Sequence, residues 1–155
     1  MKKIIIISAL ASLICAGNVV AQEAKSEKQA NNAVKFRQSI FQLVRSNMGP
    51  LGGMAKGQIP FNEQTMEVNG QRIEQLGLMI EDYFALDTTP IDVKTGAKDS
   101  IWKNRDDFNS KAMDMVKAAQ ALQLVAKNKD ESNYRKAIGA VGATCKACHD
   151  DYKKD

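Results

Sequence analysis

The residues best equipped for chemistry stand together near the end of the chain. Residues 145 to 149 read CKACH: Cys145, Lys146, Ala147, Cys148 and His149, and His149 is the only histidine among 155 residues. On a helix, positions i, i+3 and i+4 share one face, so both thiols and the imidazole would point the same way. A structural zinc site needs four ligands, so carboxylates would have to complete this set. A thioredoxin-like dithiol belongs at a helix N-terminus beside a strand, where the dipole lowers the first thiol's pKa; this pair sits at the other end of a helical stretch. A disulfide across C-x-x-C joins consecutive turns and staples nothing. The remaining chemistry is covalent attachment of haem: two thiols add across its vinyl groups and the adjacent imidazole reaches the iron from the same side. C-x-x-C-H is the specific motif for that attachment, and it is the reading preferred here.

A second residue asks for a partner. Arg37 lies between Val34 and Phe41 on an otherwise apolar helical stripe, where a buried charge is costly unless paired. Either a haem propionate meets it, or the side chain snorkels to solvent at the edge of the stripe.

The elements that must carry these residues are helices. Apolar residues recur with helical period and no segment alternates as a half-buried strand would. The first helix is expected over about Gln29–Lys56, with Ala30, Val34, Phe41, Val44, Met48 and Leu51 on one face and a kink or weak point at Gly49-Pro50. A second stripe, Ala33, Phe36, Ile40 and Leu43, gives this helix another neighbour to meet. Asn62 caps a second helix ending near Leu86. Residues 87–98 read as the one long loop. Asp99 or Ser100 starts a third helix and Asp130 a fourth, whose face is Tyr134, Ile138, Val141, Cys145, Cys148 and Tyr152. The expected fold is all-α, an up-down-up-down antiparallel four-helix bundle.

Residues 1–21 read as a cleaved signal peptide: Lys2 and Lys3, an apolar run from Ile4 to Gly17, then Val19-Val20-Ala21 before the cleavage point. The run is too short to span a bilayer, and Ile14 before Cys15 is wrong for a lipid anchor. Residues 22–155 are then a single domain in the periplasm. The chain's formal charge is +4, and removing Lys2 and Lys3 leaves a balance too weak to argue for nucleic acid or an anionic membrane.

The mature sequence resembles the cytochrome c′ family. AVKFRQSIF at 33–41, MAKGQIPF at 54–61, Phe84, IW at 101–102 and GATCKACHDDYKK at 142–154 carry the similarity. The resemblance implies one covalently bound haem c on Cys145 and Cys148, with His149 as proximal iron ligand. It implies that Arg37 and Gln38 contact a propionate, that Thr95 lies in the loop over the haem edge, and that Phe84 and Trp102 pack on the haem. Lys153 stands where many relatives have arginine, which keeps the charge and loses the planar fork. Phe41 occupies the distal position where low-spin relatives have methionine. Phenylalanine has no lone pair for iron, so the resemblance implies a five-coordinate, high-spin haem. Met48, Met54, Met66, Met79, Met113 and Met115 read as core filler, with Met48 the least unlikely ligand among them.

An open iron in an apolar pocket suits NO and, more weakly, CO; bound O2 gathers negative charge and wants a donor that Phe41 lacks. The alternative is an electron-transfer cytochrome with no physiological gas ligand, its redox partner unidentified. No second histidine or distal arginine pair supports a peroxidase, so no enzyme activity is expected. The family further implies a homodimer built on the first two helices, for which Ala33, Phe36, Ile40 and Leu43 are candidates, with intrachain packing as their other use.

Overall fold

Ser26 opens the first helix by accepting a hydrogen bond from the amide of Gln29 at 3.2 Å, and Glu27 places a carboxylate in the positive first turn. The computed structural model describes residues 22–154; the expected signal peptide, with Cys15, lies outside the described residues, as does Asp155. Helix α1 runs Glu27–Ala55 and continues through Pro50 as one element. The missing Pro50 amide costs one rung of the ladder, so the expected weak point is a lost bond within a continuous helix. Gly57, at φ +72°, makes the left-handed turn that ends it. Asn62 then caps α2, Glu63–Tyr83, accepting from the Thr65 amide at 2.7 Å.

The expected third helix is two elements. A single turn, α3 (Ser100–Lys103), stops at Asn104, whose non-helical backbone (φ −129°, ψ 49°) breaks the axis before α4 (Arg105–Lys127). Asp99 precedes α3 without making a side-chain cap. Asp130 likewise does not cap a helix directly; its carboxylate accepts from Ser132 and Asn133, folding a short 3-10 turn over Glu131–Asn133. Helix α5, Tyr134–Tyr152, follows. The expectation of no strand also needs correcting in a small way. Gln22–Glu23 (β1) pairs in parallel with Leu86–Asp87 (β2), and the Ala24 amide extends the ladder to the Asp87 carbonyl at 2.8 Å.

The long helices α1, α2, α4 and α5 form the up-down-up-down antiparallel bundle. Its core runs from Ile40, Val44 and Leu51 through Met66, Ile73 and Ile80 to Phe108, Met115 and Leu122, and is closed by Ile138 and Val141. The pairs are unequal. Among neighbouring pairs, helices α2 and α4 share the most extensive contact, α4–α5 and α1–α2 follow, and α1–α5 share the least. At the tight seam, a Cβ on Gly77 would come within 2.8 Å of Val116 Cγ2, and one on Gly70 within 3.2 Å of the Ala119 carbonyl oxygen. Only glycine allows that approach.

Candidate haem site

The last turns of α5 carry Cys145 and Cys148 half-buried against the core, continuing the buried stripe of Tyr134, Ile138 and Val141. His149, one position on, is exposed. Both thiols are free. Burial raises the Cys145 thiol above its ordinary pKa and pushes Cys148 up to about 11, with Lys111 partly offsetting the effect at Cys148. These are neutral thiols at the C-terminal end of a helix, the opposite of the electropositive setting an attacking thiolate needs. Among the described residues no three His, Cys, Asp or Glu side chains converge as metal ligands. The carboxylates that a zinc site would require are therefore not gathered around Cys145, Cys148 and His149.

Across the least-packed edge, α1 presents Phe41. Its ring is 36% exposed and touches Phe84 edge-on, with centroids 6.2 Å apart. Phe84 is buried among Phe108, at 4.8 Å, and Trp102, at 6.4 Å. Trp102 is half-buried and donates its indole N–H to the Phe84 carbonyl at 3.0 Å. Gln38 is exposed on α1. Two thiols and an imidazole at the end of α5 and an aromatic ring on α1, on neighbouring helices that share little contact, suit a flat apolar macrocycle bonded from one side.

Arg37 does not snorkel. It is 3% exposed, and it donates through Nε to the Tyr83 carbonyl at 2.9 Å, through Nη1 to Thr88 Oγ1 at 3.1 Å and through Nη2 to the Leu86 carbonyl. Its guanidinium carbon lies 4.7 Å from the Phe84 ring centroid and 5.1 Å from that of Trp102. Burial lowers its pKa to about 10, with Asp87 acting against the shift, so the group stays charged at neutral pH. A guanidinium has five N–H donors, which leaves two beyond these three bonds for an anion such as a propionate.

Thr95 is half-buried in the α2–α3 connection, and its hydroxyl accepts from the Ala97 amide at 3.1 Å, shaping the turn. Lys153 is exposed; its amide closes α5 on the His149 carbonyl at 3.1 Å, and its ammonium donates to the Lys154 carbonyl. Several residues absent from the sequence reading also shape the site. Thr88 buries its side chain under Arg37, while Asp107 accepts from the buried Tyr152 hydroxyl at 2.6 Å. Lys111 bridges to Asp151 at 3.0 Å. Together Asp107 and Lys111 tie the end of α5 to α4. Tyr152 was legible as a stripe residue, but the carboxylate it would meet was not.

The geometry agrees with what the chain is similar to. The sequence model of the family described as Cytochrome C′ matches residues 32–153. A cytochrome c′ of Cereibacter sphaeroides is 35% identical over 93% of this chain and 95% of that protein. The solved structure of cytochrome c prime from Shewanella frigidimarina superposes with a TM-score of 0.74 at 32% identity, covering 84% of this chain and all of that one. A nitric oxide complex of a point mutant of cytochrome c prime from Alcaligenes xylosoxidans aligns with a TM-score of 0.70 at 31% identity, over 81% of this chain and 96% of that one. Haem c is the cofactor this family implies, and by sequence, fold and arrangement the chain belongs to the cytochrome c′ family.

Proposed function

We propose that this protein is an exported, periplasmic c-type cytochrome that binds NO, and more weakly CO, at one haem c. Cys145 and Cys148 would hold the group through thioethers and His149 would ligate its iron. When bound, the haem would supply an iron with a position open to a diatomic. Phe41 provides an apolar wall there with no ligand atom and no hydrogen-bond donor, which favours diatomics that gather little charge over O2. A ring that stands in the way must also move, so entry is slowed and larger ligands are penalised. Arg37, with two donors to spare, can meet a propionate, and Phe84 and Trp102 can pack against the ring system. The proposal assigns no catalytic residue and no enzymatic reaction.

The observation that carries this reading is the CKACH end of α5, with both thiols half-buried, beside a helix α1 whose Phe41 offers no ligand atom. The nitric oxide complex of a structural neighbour supports it. The test is the visible spectrum of the reduced protein with and without NO or CO. A high-spin spectrum that shifts on adding either gas is expected. A stable oxygen complex, or a low-spin spectrum without added ligand, would sink it and leave an electron carrier as the better reading.

A homodimer on α1 and α2 belongs to the same proposal. Phe36 and Leu43 are 57% and 53% exposed, and Phe36 packs edge-on to the exposed Tyr83 at 6.2 Å. Ile40 belongs to the chain's own core and is removed from the candidate interface. Sedimentation as a monomer at high concentration would exclude the dimer.

A further inference from the structure

The connection between α2 and α3, residues 84–99, is fastened to both rims of the open edge. On the α1 rim, Arg37 takes the carbonyls of Tyr83 and Leu86 and the hydroxyl of Thr88, whose residue is 2% exposed. On the α5 rim, the Lys98 amide donates to the Tyr152 carbonyl at 2.9 Å and the Lys154 amide to the Gly96 carbonyl at 2.8 Å. Lys98 Nζ adds a bond to the Asp150 carbonyl at 3.0 Å. These contacts fall on the turn that begins at His149, whose own carbonyl receives the Lys153 amide. One stretch of chain therefore runs from the guanidinium on the distal helix to the residues just after the expected iron ligand.

We infer that Arg37 is a positioning residue for His149. It organises residues 83–88, the segment spans the gap, and its 96–98 end clamps the last turn of α5. The pose of His149 relative to the Phe41 face is thus set through backbone bonds, in addition to any contact Arg37 makes with a propionate. This role needs arginine. A planar fork can reach two carbonyls and a hydroxyl at once, whereas an ammonium is a point charge with one centre to offer. It also explains burial of a cation on α1: the protein supplies acceptors for three of its N–H groups, and two aromatic rings lie against its faces. The inference rests on the haem reading for what His149 does, but the clasp itself is a property of the chain.

Amide hydrogen exchange on the haem-loaded protein tests it. Arg37→Lys and Thr88→Val should each speed exchange at Lys98 and Lys154, far along the segment from the substitution, by about tenfold or more. The band of the iron–His149 stretch in resonance Raman spectra should shift or broaden in both. From the other end, Lys154→Pro deletes the donor to Gly96 while removing only an exposed side chain, and should disturb the same band. Combined with Arg37→Lys it should add less than its separate effect, because the clasp is already open. If Arg37→Lys loosens only residues 83–88 and leaves Lys98 and Lys154 unchanged, the inference is wrong and Arg37 serves only its own rim. A chain whose mass shows no covalent haem would refute the parent reading, while the exchange result would still decide the clasp.

Discussion

Along the edge between α2 and α4, glycines let two helices close on each other; along the edge between α1 and α5, the helices barely meet. The tight edge is finished by protein alone. Gly70 and Gly77 remove the side chains that would keep the axes apart, and Glu74 accepts from both Gln120 and Gln123 at 2.8 and 2.7 Å. The open edge carries the residues with unspent chemistry: Cys145, Cys148, His149 and Phe41. A loop bridges it at one end through hydrogen bonds to the end of α5. The contrast teaches where to look for a cofactor in a bundle. The place to look is the pair of neighbouring helices that share the least contact.

If that division is right, the two edges should fail differently. The largest effect should come from Cys145→Ser with Cys148→Ser, which should abolish covalent haem altogether while the α2–α4 seam stays intact. Mass spectrometry and far-ultraviolet circular dichroism would show loss of the attached group with helical signal retained. Haem still fixed to the double variant would break the comparison at its root.

Second in size is an attack on the other edge. Gly77→Leu must push Val116 and Met115 aside, and overpacking of this kind costs about 3 kcal/mol. Denaturant unfolding should show that loss with the haem spectrum of the folded protein unchanged. Smaller again, Phe41→Ala should cost less stability than Gly77→Leu, since the residue is 36% exposed and its ring meets the core edge-on at Phe84. It should speed CO recombination after flash photolysis by about tenfold, equivalent to about 1.4 kcal/mol off the entry barrier. An unaltered rate would mean that Phe41 does not gate the site.

The helices and the proximal half of the open edge were both legible in the sequence. Helical period announced all four long helices, and CKACH announced its own chemistry, because both depend on residue type at fixed spacing. The break at Asn104 did not show, since Ile101 and Phe108 stay in phase across it and only the backbone departs. Arg37 was recognised as a charge in need of a partner, but its acceptors include two backbone carbonyls, which every residue owns and no side-chain pattern marks. The same limit hid the bonds joining residues 96–98 to the end of α5. Side-chain chemistry at fixed spacing was legible; backbone acceptors reached across a loop were not.

The smallest predicted effect lies where α2 begins against α5, away from both edges' special features. The Tyr134 hydroxyl donates to Glu63 at 2.9 Å. Glu63 is held below its ordinary pKa, first by its own backbone amide and then by Tyr134. Its contribution to stability is therefore present above the ordinary carboxylate pKa and fades as pH falls through the lowered value. Tyr134 is pushed the other way, from 10.0 to about 12, first by burial and then by Glu63. That contribution is complete below pH 10.0 and is lost as pH rises towards about 12. Tyr134→Phe should weaken the acid limb, where the Glu63 amide bond persists, and shrink the alkaline limb to what Tyr152, also raised by burial and by Asp107, contributes. Thermal melts from acid to alkaline pH would show both. Neither limb should move the haem spectrum of the folded protein, because the hydrogen bond stands at the N-terminal end of α5 and His149 near its C-terminal end. A spectral change tracking the Tyr134→Phe melts would mean that the two ends of α5 are coupled, and that the open edge is less independent of the rest of the bundle than its sparse packing implies.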